Sequence, residues 1–201
     1  VLENVEGMDL EDLTKTNGVP FGYTEAAAWA DQILDGLIYI HNMKPPVIHR
    51  AIKPKNIKLL AGGQVKLLAY SMTDANSQLD TSSNADDTQS PSLHYAPIEL
   101  IWESLDAASQ KVITNSYDEK SEALLKQPAD ARSDIFGLAA TLYHLVTAKT
   151  PIDALERSIY MLEGKEDPLL PPHEVNADIP VEVSNVIMRG LEIKREDRFE
   201  S

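Results

Sequence analysis

The sequence predicts a mainly α-helical fold with one small β-hairpin, and three observations lead there. Apolar residues recur at helical spacing in several separate stretches, most densely between residues 130 and 149. Two short β-type runs, 57–60 and 64–68, flank Gly62-Gly63, which is a turn signal between strands. A polar tract over 71–92, rich in Ser, Thr, Asn and Asp, has almost nothing to bury and reads as a loop.

Taken in order, residues 1–7 read as a short extended lead-in and 8–14 as a short acidic helix. Thr24 is a good N-cap with Glu25 in the first turn, opening a helix to about residue 43. Its Trp29, Ile33, Leu37 and Ile40 recur at helical spacing and predict one buried face. Pro45-Pro46 ends it, because proline disfavours the helical conformation of the residue before it. Residues 47–48 lead into the segment 49–56, and the hairpin follows. A short helix is expected over 96–103, then a polar stretch over 104–127. Between 130 and 149, Ile135, Leu138, Ala139, Leu142, Leu145 and Val146 cover more than one face, the pattern of a helix surrounded by others. Helices over 154–162, after Pro151, and 181–191, after Pro180, complete the set. The last carries Val183, Val186, Ile187 and Leu191 as its apolar face. There is no internal repeat.

Composition bounds the function. A chain of 201 residues suffices for one domain with a sizeable core. Eighteen basic residues against thirty-two acidic ones give a net charge of −14. Such a surface repels nucleic acid and anionic membrane, so neither is expected as a principal partner. The chain has no cysteine and hence no disulfide framework, which fits a reducing compartment, and a cytoplasmic location is the expectation. Besides His49, the histidines His41, His94, His144 and His173 are scattered without metal-ligand spacing, so they read as ordinary and no metal is expected. The longest strongly apolar stretch, 135–146, is too short to span a bilayer, and no signal peptide is visible. The chain opens at Val1 without an initiator Met and stops at Ser201, which leads us to expect a piece of something longer.

One segment carries chemistry. His49-Arg50-Ala51-Ile52-Lys53-Pro54-Lys55-Asn56 reads H-R-x-x-K-P-x-N. It resembles the catalytic loop of protein kinases, H-R-D-x-x-x-x-N, with Ala51 in place of the aspartate. Other segments extend the resemblance in the same order. Val1-Leu2-Glu3-Asn4-Val5-Glu6-Gly7 with Asp9-Leu10 looks like the hinge and first helix of the large lobe, with 1–8 as hinge remnant. Val65-Lys66-Leu67-Leu68-Ala69-Tyr70-Ser71 is similar to the strand leading into D-F-G. Tyr95-Ala96-Pro97-Ile98-Glu99 resembles A-P-E with one residue inserted, closing an activation segment over 69–99. Asp130-Ala131-Arg132-Ser133-Asp134-Ile135-Phe136-Gly137 looks like the start of the central buried helix, and Glu196-Asp197-Arg198 supplies the late arginine that pairs with the A-P-E glutamate. A rival lead-in at Tyr117-Asp118-Glu119-Lys120-Ser121 lacks the aromatic-glycine step and meets Pro128 too soon, so 104–127 is taken as an insertion. The resemblance implies the large, C-terminal lobe of a bacterial-style Ser/Thr kinase as a single unit over 1–201, with the small lobe absent from the chain.

It also implies which parts are missing. In the family the loop aspartate accepts the proton of the attacking hydroxyl, and the methyl of Ala51 accepts nothing. D-F-G is spelled Ala69-Tyr70-Ser71, so the oxygen ligand for magnesium is gone, and Tyr70 reads as an apolar replacement for the phenylalanine. No G-x-G-x-x-G occurs among the nine glycines. Lys53 falls where the family's loop lysine steadies the transferred phosphate, and Asn56 where the loop holds the second metal. The family also implies that His49 packs beneath the loop and meets Asp134, that Arg50 anchors a phosphorylated activation loop, and that Glu99 and Arg198 form a buried architectural pair. Thr73, Thr81, Ser82, Ser83, Thr88 and Ser90 are phosphorylation candidates, against the plainer reading of a solvated loop.

The expectation is therefore a pseudokinase acting as an interaction or regulatory scaffold, with a protein partner and no cofactor. ATP binding would rest largely on the missing lobe. The alternatives are a divergent kinase recruiting Asp74 or Asp80, and a purely structural lobe. An uncovered hinge end is expected to favour self-association.

Overall fold

The structure, a computed structural model, describes residues 5–68, 93–105, 107, 110–111 and 126–200. Ala69, Tyr70, Ser71, Asp74, Asp80 and every phosphorylation candidate lie outside the described residues, as do Val1 to Asn4 and most of the 104–127 insertion.

Strand β1 (Met8–Asp9) opens the fold, followed directly by helix α1 (Leu10–Asn17). The helix expected from residue 8 starts two residues later because Asp9 is its cap, accepting from the Asp12 N–H at 2.8 Å. Met8 and Asp9 instead pair antiparallel with β2 (Ile57–Leu59), which pairs with β3 (Val65–Leu67) around Gly62 and Gly63, both at positive φ. Among the described residues the sheet thus has three strands in the order β1-β2-β3, one more than the sequence predicts. Two residues are too few for any periodicity to reveal.

Helix α2 (Tyr23–His41) buries Trp29, Ile33 and Leu37, while Ile40 is half-buried in its last turn. Thr24 is not its cap. Gly22 holds that position with extended backbone and no side-chain bond, which leaves Thr24 exposed inside the first turn. After α3 (Ile98–Ser104), the central helix α4 (Ala131–Thr147) begins at a capping box between Asp130 and Ser133. Thirteen of its 17 residues are buried, so it is the hub of the fold. Helix α5 (Ala154–Leu162) has the bounds that the sequence predicts; α6 (Pro172–Val175), one turn long, escaped it, and α7 (Val181–Gly190) follows.

Apolar side chains pack on both sides of α4. Leu10, Trp29, Ile33, Leu37 and Ile57 meet its Leu138 and Leu145 on one side. Ile98, Ile101, Trp102, Ile187 and Leu191 meet its Phe136, Ala139 and Tyr143 on the other. The apolar face expected for α7 is only partly covered. Ile187 and Leu191 are buried, but Val186 is 59% exposed, at an open groove that it lines with Leu142 of α4. The approach is close enough that a Cβ on Gly190 would lie 2.6 Å from the Ala139 Cβ. Among the described residues, no helix is long and apolar enough to cross a membrane.

Two arginines seal the turn after α7. Arg157, from α5, forks onto Asp167 at 2.6–3.2 Å and donates to the Leu191 carbonyl at 2.8 Å. Arg198 donates to the Glu192 and Ile193 carbonyls at 2.7 and 2.9 Å. Three successive carbonyls past a helix end are thereby satisfied without water.

Gly190→Ala should force α7 off α4 and destabilise the fold by about 1–3 kcal/mol in urea unfolding. Gly36→Ala, on the exposed side of α2 with nothing within 4 Å, should instead stabilise it by about 0.5–1 kcal/mol.

Candidate functional site

The H-R-x-x-K-P-x-N segment runs between α2 and β2 as a loop ending in a 3-10 turn over Pro54–Asn56. Its position is set by one side chain beneath it. Asp134, 1% exposed in the first turn of α4, accepts from the His49 N–H at 2.8 Å and the Arg50 N–H at 2.7 Å. A third bond joins the same carboxylate to His41 Nε2 at 2.8 Å. A carboxylate only accepts, so His41 donates.

Two expectations about histidines are corrected here. The His49 side chain does not meet Asp134; only its backbone N–H does. Its Nε2 lies 2.9 Å from the Leu68 carbonyl, and its Nδ1 faces the Ala51 N–H at 3.4 Å. A carbonyl only accepts, so the proton sits on Nε2 and the ring bridges the loop to the end of β3. His41, which the sequence left as ordinary, holds Asp134 instead. Its one signal was its place in the last turn of α2, eight residues before His49, and nothing in the spacing distinguishes that from a surface histidine.

The backbone answers the same constraint. Arg50 has φ 64°, a left-handed conformation costly for a side-chain-bearing residue, and the Asp134 bond to its N–H holds it there. Gly137 lies directly behind the loop, where a Cβ would stand 3.0 Å from the Ile52 carbonyl oxygen and 3.4 Å from that of Tyr95. The aromatic-glycine step therefore has a packing cause, because α4 must touch the loop and the 93–95 turn at once.

Asn56 closes the loop from the other end. Its side-chain amide donates to the Ala51 carbonyl at 2.7 Å, and its own carbonyl accepts from the Leu68 N–H at 2.8 Å. The frame around position 51 thus grips that residue by its backbone and does not depend on its side chain. The Arg50 guanidinium reaches Glu103 on α3 at 3.2 Å, an exposed pair of small energetic weight. Among the described residues, no group of three or more His, Asp or Glu side chains comes together as a metal site.

A second buried charge fixes α3. Glu99 and Arg198, 1% and 2% exposed, pair through two bonds at 2.7 and 3.2 Å. Ser133 donates to the same carboxylate at 2.8 Å. With carbonyls of Arg132, Glu192 and Ile193, all five guanidinium donors of Arg198 have partners.

Comparison with known proteins agrees with this arrangement. A family model of the protein kinase domain matches residues 1–199. A probable serine/threonine-protein kinase of Clostridium acetobutylicum is 28% identical over all of this chain, which spans 26% of that relative's length. The serine/threonine-protein kinase PknB of Mycolicibacterium smegmatis is 25% identical, again over all of this chain and 28% of its own. The crystal structure of the Mycobacterium tuberculosis PknI kinase domain superposes with a TM-score of 0.60 at 21% identity, covering 99% of this chain and 60% of that one. At that identity the likeness is one of fold.

Asp134→Asn would turn an amide N–H₂ toward donors, and we expect it to lower unfolding stability by about 2–4 kcal/mol. Arg198→Lys cannot reproduce the fork and should cost about 3–5 kcal/mol. Equilibrium denaturation checks both.

Proposed function

The chain belongs to the protein kinase family, and from that premise we propose that it is a catalytically silent member whose large-lobe architecture serves as an interaction or regulatory scaffold. The observation that carries this reading is the contrast at position 51. The loop is fully held, by Asp134 below and Asn56 at its end, yet the residue at its chemical centre is an alanine. Kinase chemistry needs a base there, and loss of a positioned base forfeits about 10²–10⁴ in rate, roughly 3–5 kcal/mol. A slow kinase survives that alone. Ala69 then removes the carboxylate that would hold magnesium, and with it the ion that offsets most of the triphosphate charge, in a chain of net charge −14.

The chain reads as a large lobe alone: no glycine-rich phosphate cover occurs in it, and the strand lysine and helix glutamate of the family belong to the small lobe. ATP binding by this chain is accordingly not expected. The partner is a protein, in keeping with an acidic surface that repels nucleic acid, and we place the chain in the cytoplasm. Exposed apolar side chains support docking: Ile38, Tyr39, Met43 and Val47 fall within ten residues around the end of α2, each 38–69% exposed. Association between copies is a further use of such surface. A second reading, a divergent kinase using Asp74 or Asp80, draws on the relatives that are named as kinases.

Thermal unfolding with and without magnesium ATP separates the two. A ligand at a hundred times its Kd stabilises by about 2.7 kcal/mol. We expect no shift in Tm at millimolar nucleotide, and a clear shift would favour the divergent kinase. Deleting 71–92 should weaken capture of the partner if that segment regulates docking, and leave it unchanged if the lobe is purely structural.

A further inference from the structure

The 93–95 turn is fastened to the central helix by a hydrogen bond between two side chains largely shielded from water. The Tyr95 hydroxyl lies 2.6 Å from Nδ1 of His144, with the two rings 6.1 Å apart and 24° from parallel. Tyr95 is 8% exposed, so no ready solvent stands in for that partner. Burial raises the Tyr95 phenol well above its ordinary range, and it remains a hydroxyl at any physiological pH. It donates, and His144 Nδ1 must accept, which only the neutral imidazole does.

We propose that Tyr95 and His144 form an acid-sensitive latch that holds the 93–95 turn on α4. When His144 takes a proton, Nδ1 carries a hydrogen that the Tyr95 oxygen accepts, and the buried Tyr95 O–H is left without an acceptor. A cation then also lies in a half-buried position. The Tyr95 backbone bears on Gly137, the glycine that backs Ile52 of the loop, so release of the ring slackens a contact shared with the candidate site.

The surrounding charges do not hold the latch shut in acid. Burial is the largest influence and lowers the pKa of His144 below the ordinary value of 6.5. From α1, Glu11 favours the proton and Lys15 opposes it, and the two are paired with each other at 3.0 Å. From the turn itself His94 opposes it, while its own Nδ1 meets the Pro151 carbonyl at 2.8 Å. A base whose pKa is lower when closed than when open leaves the closed form intact above about 6.5 and weakens it as the pH falls.

Amide hydrogen exchange, corrected for the intrinsic effect of pH, reads this directly at Ala96, whose N–H group bonds to the Leu93 carbonyl. The expected result is protection that falls by up to about tenfold per pH unit below pH 6.5. His144→Asn keeps an acceptor near Nδ1 and does not titrate, so its protection should be flat between pH 7.5 and 5.5. Tyr95→Phe should show low protection at both. A wild-type response that persists unchanged in His144→Asn would overturn the latch, as would a wild type insensitive to pH. Should His144→Asn fail to fold, Tyr95→Phe decides alone, since a full wild-type pH response without the hydroxyl contradicts the proposal.

Discussion

The buried carboxylate of Asp134 is the constraint on which the rest of the molecule depends. Its helix is enclosed on nearly every side, so the charge cannot reach water, and burying it alone would cost several kcal/mol. Two backbone N–H groups of the loop and the His41 ring offset that cost, each charge-assisted bond contributing about 1.5–3 kcal/mol. The consequence is mutual. The loop has its shape because α4 presents a carboxylate, and α4 tolerates the carboxylate because the loop supplies donors. None of these bonds touches the side chain at position 51. A chain can therefore lose the family's base there and keep the frame.

The same logic recurs on the far side of α4, where Glu99 anchors α3 to Arg198 and both arginines, Arg157 and Arg198, close the turn after α7. Breaking a buried pair strands a charge, so such sites resist change even where nothing chemical is at stake. Retention of this scaffolding is architectural and carries no implication of phosphotransfer. That separation is why family membership and the proposed catalytic silence are compatible in one chain.

Legibility in the sequence followed physical length. Helices α2, α4, α5 and α7 were readable because each spans enough turns for apolar spacing to stand out, and the hairpin because its two glycines mark a turn at positive φ. Strand β1 and helix α6 hold too few residues to show a period. Thr24 misled because a good capping residue two positions too late is indistinguishable, from sequence, from one in place; Gly22 takes the cap with ordinary extended backbone and no side-chain bond. Val186 misled because spacing places it on the apolar face but does not show that this edge of the face lines an open groove beside α2 and α4. In the candidate site the motif located Asp134, Glu99 and Arg198, all with long-range partners in a recognisable order. His41 was hidden because its partner is ninety-three residues away and no motif marks it.

Catalytic silence is the claim with the most at stake, and phosphoryl transfer from γ-labelled ATP, to the chain itself and to a basic Ser/Thr peptide, tests it most directly. The account predicts transfer no greater than the protein-free blank, with magnesium or manganese. Transfer above the blank that disappears in Lys53→Met would contradict it, because the activity would then belong to the loop described here.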